Sequence, residues 1–229
     1  MAKEFLTSNN EHWYPSPTKP DLWYPSATTI LSKYPKGKQF ENYLANLSSA
    51  EEGREKLNAA GNRGTNVHEA SEILENGGII KRSDYTLEEW NLLIGFVNWH
   101  KDFKPEVIAI EKSMVSDKLK TGGTIDRVYK INGVLTIFDI KTSAAIYDSY
   151  WCQVACYAEL YREKAEIEPE QTAILRLTNK RKSGYEFVIH NKKQMKVDLD
   201  TFKAVRKIWD YENSDKQPKV VEVPDELSL

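Results

Sequence analysis

The stretch GTIDRVYKINGVLTIFDIK, Gly123 to Lys141, decides the fold. Asn132-Gly133 stands between two alternating apolar runs, and a type I′ turn needs positive φ at both central residues, which Asn and Gly tolerate. With those two at the turn, Ile131 faces Val134 and the register runs outward, setting Asp126 opposite Asp139 and Thr124 opposite Lys141. Directly opposed residues have Cβ atoms roughly 5 Å apart. Two carboxylates at that spacing repel unless a proton or a cation sits between them. Lys141, two residues past Asp139, shares its face of the strand, as do Val128, Leu135 and Ile137. An apolar face makes a solvated surface pair the weaker reading, so the hairpin is expected to carry a divalent-cation site with a lysine beside it.

Working outward, the period before Pro105 is helical. Ser26-Ala-Thr-Thr-Ile-Leu starts one helix, and Lys38 to Leu47 reads as another, with Phe40, Tyr43, Leu44 and Leu47 on one face. Ser48-x-x-Glu51 and Ser49-x-x-Glu52 are capping-box candidates for a third, which Gly61-Asn-Arg-Gly64 is expected to interrupt. Thr65 to Glu75 then carries His68, and Thr86-x-x-Glu89 caps a long helix through Phe103. Beyond Pro105 the pattern turns strand-like: Val107 to Val115, Gly122 to Ile131 and Val134 to Lys141 are successive strands, and Ile146 to Arg162 is a helix. Thr172 to Leu177 and Tyr185 to His190 are strands joined by a basic loop, Val197 to Tyr211 is a helix, and Val220 to Val223 is a short candidate strand. No Gly-, Ser- or Pro-rich linker divides the chain, so we expect one domain over 1–229, with a helical part over 1–104 and a sheet core over 105–229.

The formal net charge of -2 over 229 residues neither advertises nor excludes a nucleic-acid partner, because local patches decide that. No apolar run reaches the roughly 18 residues of a membrane span, and the first residues have neither a signal-peptide core nor an Arg-rich transit pattern, which points to an intracellular, cytoplasmic protein. Cys152 and Cys156, four apart on one helix, read as buried apolar thiols. Lys180, Arg181 and Lys182, with Lys192 and Lys193, form a basic cluster suited to phosphates, and Arg63 is a further nucleic-acid contact candidate. Trp13, Tyr14, Trp23 and Tyr24 are either base-stacking platforms or packing residues, packing being the commoner role. His12, His100 and His190 read as structural or solvated.

Asp126, then Asp139-Ile-Lys141 ending the next strand, then a helix with Gln153-x-x-x-Tyr157, resembles the PD-(D/E)xK nuclease superfamily, and within it the RecB-like branch of phage-type exonucleases. Gly64-Thr-Asn-Val-His68 matches that branch's Gly-x-x-x-His motif, and Pro25-Ser-Ala-Thr-Thr-Ile-Leu31 is close to its entry segment. The resemblance implies an α/β fold with a restriction-endonuclease-like mixed sheet, αβββαβ, behind a helical N-terminal half. It implies a Mg²⁺- or Mn²⁺-dependent DNA exonuclease leaving 5′-phosphates, working alongside replication or recombination proteins. Under it His68, Asp126, Asp139 and the main-chain carbonyl of Ile140 are metal ligands, with Glu111 in an outer acidic position. Lys141 is the catalytic lysine, and Gln153 and Tyr157 position it or the DNA. The chain lacks the four cysteines with which several relatives hold an iron–sulfur cluster, so no such cluster is expected, and it lacks a P-loop and hence a motor. The alternatives are a structure-specific endonuclease and a non-catalytic binding module that keeps the nuclease fold.

Overall fold

The structure, a computed structural model, describes residues 5–6, 11–37 and 45–218. The expected helix over 38–47 falls largely outside these residues, and the candidate strand over 220–223 falls wholly outside them. The central sheet has five strands: β4 (Glu106–Ser116), β5 (Thr121–Ile131), β6 (Val134–Lys141), β7 (Gln171–Leu177) and β8 (Tyr185–Asn191). They lie in the order β4-β5-β6-β7-β8; β6 and β7 are parallel and every other pair is antiparallel. The parallel pair needs a crossover, supplied by α4 (Asp148–Ala165). A smaller sheet, β1 (Phe5–Leu6), β2 (His12–Pro15) and β3 (Trp23–Pro25), precedes it. Its last two strands are the HWYP and LWYP segments, paired antiparallel with Tyr14 facing Tyr24.

Helices cover both faces of the central sheet. On one side α2 (Ala50–Glu75) and α3 (Leu87–Phe103) pack Val67, Ala70, Leu93, Phe96 and Trp99 against Tyr129, Phe138, Ile140 and Leu175. On the other, α1 (Ala27–Leu31), α4 and α5 (Lys192–Glu212) pack Ile30, Cys156, Leu160, Phe202 and Trp209 against Ile125, Val128 and Ile137. Trp13, Tyr14 and Tyr24 are buried, Trp13 meeting Trp209 edge-on, so these three pack the core and do not offer faces to bases. Burial also raises both cysteine thiols, Cys152 to about 12, leaving them protonated and inert.

Local chemistry accounts for most of the boundaries. Thr86 and Glu89 form the expected reciprocal capping box of α3. Ser49 caps α2 through the Glu52 amide, while the Glu52 carboxylate turns back to Ser48. The expected break at Gly61 and Gly64 does not occur: α2 runs unbroken for 26 residues. Each internal glycine costs about 1 kcal/mol against alanine, which the packing of Val67 and Ala70 offsets. Gly95 of α3 sits against Gly184 in the β7–β8 loop, where φ is +83°, and a Cβ on Gly95 would overlap the Gly184 carbonyl. Both partners are backbone, so no rotamer relieves the clash. Gly95→Ala is therefore expected to cost about 2–3 kcal/mol, a drop of about 5 °C or more in Tm, readable by thermal circular dichroism.

Candidate metal centre

The Asn-Gly turn forms as expected, with φ of +51° at Asn132 and +81° at Gly133. The register also holds, from Ile131 facing Val134 to Arg127 facing Phe138. There the β5–β6 ladder stops. Asp126 and Asp139 are next in register, but Thr124 does not pair with Lys141: its hydroxyl meets Ser113 at 2.9 Å and Tyr14 at 3.2 Å, while Lys141 pairs in parallel with Arg176. In this register Ile125 and Ile140 would be the next hydrogen-bonded pair, exchanging both main-chain bonds. The strands part instead, and both polar groups of Ile140 are taken by side chains. Its N–H donates to Asp126 Oδ2 at 3.1 Å, and its carbonyl meets His68 Nε2 at 3.0 Å. His68 Nδ1 lies 3.4 Å from Asp126 Oδ2. An imidazole from α2 thus fills the gap where the sheet opens.

Glu111 enters from the other side of β5. Its neighbours stay in register, Ile110 with Arg127 and Lys112 with Ile125, but Glu111 itself has φ +45°. The left-handed region costs a non-glycine residue about 1 kcal/mol or more and marks functional sites more often than ordinary strand. Ligand atoms of His68, Glu111 and Asp126 all lie within 4.8 Å of one another. They line an open cavity of about 390 Å³ with Gly64, Thr65, Glu69 and Glu72. Burial, then the charges of Asp126 and Glu72, pushes the Glu111 carboxyl up to about 8, with Arg127 opposing. A larger groove of about 610 Å³ along β4 is lined by no carboxylate or histidine.

Asp139 and Lys141 sit deeper, at the C-terminal end of β6. Lys141 Nζ is 2.7 Å from Asp139 Oδ2, donates to Gln153 Oε1 at 3.2 Å, and lies 4.7 Å from the centre of the Tyr150 ring. Gln153 Nε2 donates to Tyr157 Oη at 3.2 Å and reaches Asp139 Oδ1 at 3.4 Å. Asp139 is fully buried. Burial pushes its carboxyl up to about 7; Lys141 works against this and Asp126 adds to it. Burial would lower the Lys141 ammonium, but the charges of Asp139 and Asp126 outweigh it and hold the pKa above the ordinary value.

Among the described residues, the structure therefore brings His68, Glu111, Asp126, Asp139, Ile140, Lys141, Gln153 and Tyr157 to one end of the sheet. It divides the expected basic cluster. Lys180, Arg181 and Lys182 follow β7 at the end where Lys141 lies, but Lys192 and Lys193 follow β8 at the other. Seven residues of strand separate the two groups, roughly 20 Å at strand rise. Arg181 is tied to Glu186 at 2.6 Å and Arg63 to Glu88 at 3.1 Å, while Lys180 and Lys182 are exposed. Among the three histidines read as structural, His100 approaches Glu75 at 3.6 Å, and His190 stacks on Trp151 while pairing with Asp198 at 2.7 Å. Tyr150 escaped the sequence reading, although Tyr150, Gln153 and Tyr157 follow the i, i+3, i+7 spacing of one helix face. Arg127 and Glu75 escaped it too, for want of any local signal.

The donor set suits a hard divalent cation. Two carboxylates, Glu111 and Asp126, converge with the His68 imidazole; Asp139 and the Ile140 carbonyl adjoin that group without belonging to it, and an oxygen-rich set of this kind favours Mg²⁺ or Mn²⁺. Asp139 Oδ2 is buried without a hydrogen bond of good geometry, its contact being the Lys141 ion pair.

No family model and no curated protein matches the chain. Its fold is similar to that of a crystallised protein from Eubacterium rectale described as a "Putative exonuclease", with a TM-score of 0.50 and 14% identity over 88% of this chain and 86% of that one. At that identity the likeness concerns the fold, a mixed α/β sheet between helices. No helix among the described residues is long and apolar enough to cross a membrane.

Proposed function

We propose that this protein is a divalent-cation-dependent nuclease of the PD-(D/E)xK type that hydrolyses phosphodiester bonds of DNA from its ends. The observation that carries this reading is the parting of β5 and β6 at Asp126 and Asp139, with His68 inserted and Lys141 paired to Asp139. The name of the Eubacterium rectale neighbour agrees with it. His68, Asp126, Asp139, the Ile140 carbonyl and Glu111 would hold the ion, which when bound supplies positive charge beside a phosphate and acidifies a water.

The remaining roles belong to the chain. In the ion-free site the charges of Asp139 and Asp126 favour the ammonium form of Lys141, which can hold a phosphate oxygen as negative charge builds on it. Gln153 and the Tyr150 ring fix its ammonium in place. Tyr157, raised well above the ordinary range by burial and the nearby Asp139, stays neutral and anchors Gln153. Lys180 and Lys182 lie at the right end of the sheet to meet the DNA backbone, whereas Lys192 and Lys193 do not.

The test is incubation of end-labelled linear and closed circular DNA with Mg²⁺ or Mn²⁺. Linear DNA should be degraded and circles spared, with Lys141→Ala slower by about 10²–10³-fold. No cleavage with either ion, or parental rates in Lys141→Ala, would sink the reading; cleavage of circles would favour an endonuclease. Gly123 gives a subtler prediction. A Cβ there would overlap the Tyr157 ring, so Gly123→Ala should displace Tyr157 and loosen Gln153. We expect about tenfold slower cleavage at unchanged DNA affinity, checked by single-turnover kinetics beside a binding isotherm.

A further inference from the structure

Arg127 is completely buried, an uncommon place for a guanidinium. It is anchored by α2: Nε meets Glu75 Oε2 at 2.5 Å and Nη2 meets Ser71 Oγ at 2.7 Å. Glu75 is itself 1% exposed and also accepts from the Tyr129 hydroxyl. The remaining nitrogen turns to the candidate centre. Nη1 donates to the Asp126 carbonyl at 2.7 Å and lies 3.4 Å from Glu111 Oε1. One side chain thus ties the helix that carries His68 to the strand that carries Asp126 and to the carboxylate of the left-handed Glu111.

The unequal distances matter. Glu75 neutralises the guanidinium at close range, and Glu111 is steered at long range without being neutralised. A guanidinium fully paired to Glu111 would compete with a cation for it; one absent altogether would leave nothing to turn that carboxylate toward Asp126. From this we infer that Arg127, with Glu75 setting its charge balance, is the positioning residue that holds His68, Asp126 and Glu111 at cation-binding spacing. The inference rests on the proposal that these three hold a divalent ion.

The experiment is calorimetric titration of the cation-free protein with Mn²⁺ alone, beside a melting curve for every variant. Arg127→Lys reaches fewer partners and should bind Mn²⁺ at least tenfold more weakly. Glu75→Gln keeps an acceptor for Tyr129 and touches no ligand, yet it removes the closest counter-charge of Arg127 and leaves Asp126 and Glu111 to balance the guanidinium. It should weaken Mn²⁺ binding at least fivefold, and it decides the matter if Arg127→Lys does not fold. Leu93→Ala, a truncation in the core of α3, should lower Tm as far while leaving Mn²⁺ affinity within twofold. If Leu93→Ala weakens binding as much as the other two, affinity merely follows stability and the inference fails. It fails alone if the parent binds through His68 and Asp126 while Arg127→Lys and Glu75→Gln bind like the parent. It falls together with the nuclease reading if the parent binds no Mn²⁺, or if His68→Ala and Asp126→Ala bind it undiminished.

Discussion

Replacing Asp139 by asparagine is expected to abolish cation-dependent cleavage, by about 10³-fold or more, while raising the melting temperature of the cation-free protein at pH 8. The second half follows from burial. Asp139 is fully buried and its carboxyl is pushed up to about 7, so in the folded state its ionised form is disfavoured relative to the unfolded chain. A carboxyl raised in this way contributes stability that is complete below its unfolded pKa, near 4, and is lost as pH rises through 7. Asparagine mimics the neutral form and loses nothing over that window. Parent and variant should therefore melt together below about pH 4 and separate by about 3 °C or more at pH 8. Saturating Mn²⁺ should reverse the order, because the parent alone gains binding free energy. A variant melting below the parent at pH 8 without cation would mean that the Asp139–Lys141 ion pair stabilises the fold, and the argument for a strained site would fail.

That strain explains why the hairpin was legible and its surroundings were not. Asn132-Gly133 sets the register through local chemistry alone, and six residues further out the register places two acids side by side. Nothing in the same stretch says that the ladder stops after Arg127 and Phe138, because that depends on an imidazole arriving from α2 to satisfy Ile140. Glu111 illustrates the same limit. Its positive φ has no sequence signal, since Ala109-Ile-Glu-Lys112 reads as ordinary strand, and the conformation exists only because both flanking pairs are held in register. Gly61 and Gly64 mislead in the opposite sense: local propensity argues for a break, and the buried face of α2 overrides it. The basic residues seemed one cluster because their numbers are close, yet a single strand between the β7–β8 loop and the start of α5 carries them to opposite ends of the sheet.

Glu75→Ala is expected to be the most destabilising single substitution at the centre. It strands a completely buried guanidinium and leaves the Tyr129 hydroxyl without its acceptor. Removing one partner of a buried ion pair costs about 3–5 kcal/mol, or about 10 °C in Tm for a chain of this size. Glu75→Gln, which keeps the acceptor, should lose less. The informative comparison is the double variant Arg127→Met with Glu75→Leu. Well-packed apolar replacements of a buried pair are often neutral or better, so this protein should regain part of the lost melting temperature, the Tyr129 hydroxyl still lacking its acceptor. It should not regain Mn²⁺ binding, because no donor then steers Glu111 or holds the Asp126 carbonyl. Recovery of stability without recovery of binding would separate the two roles of the pair: the fold tolerates an apolar contact between α2 and β5, and the site does not. If the double variant instead melts as low as Glu75→Ala, the ion pair is itself a net source of stability, and its desolvation cost is smaller than its complete burial implies.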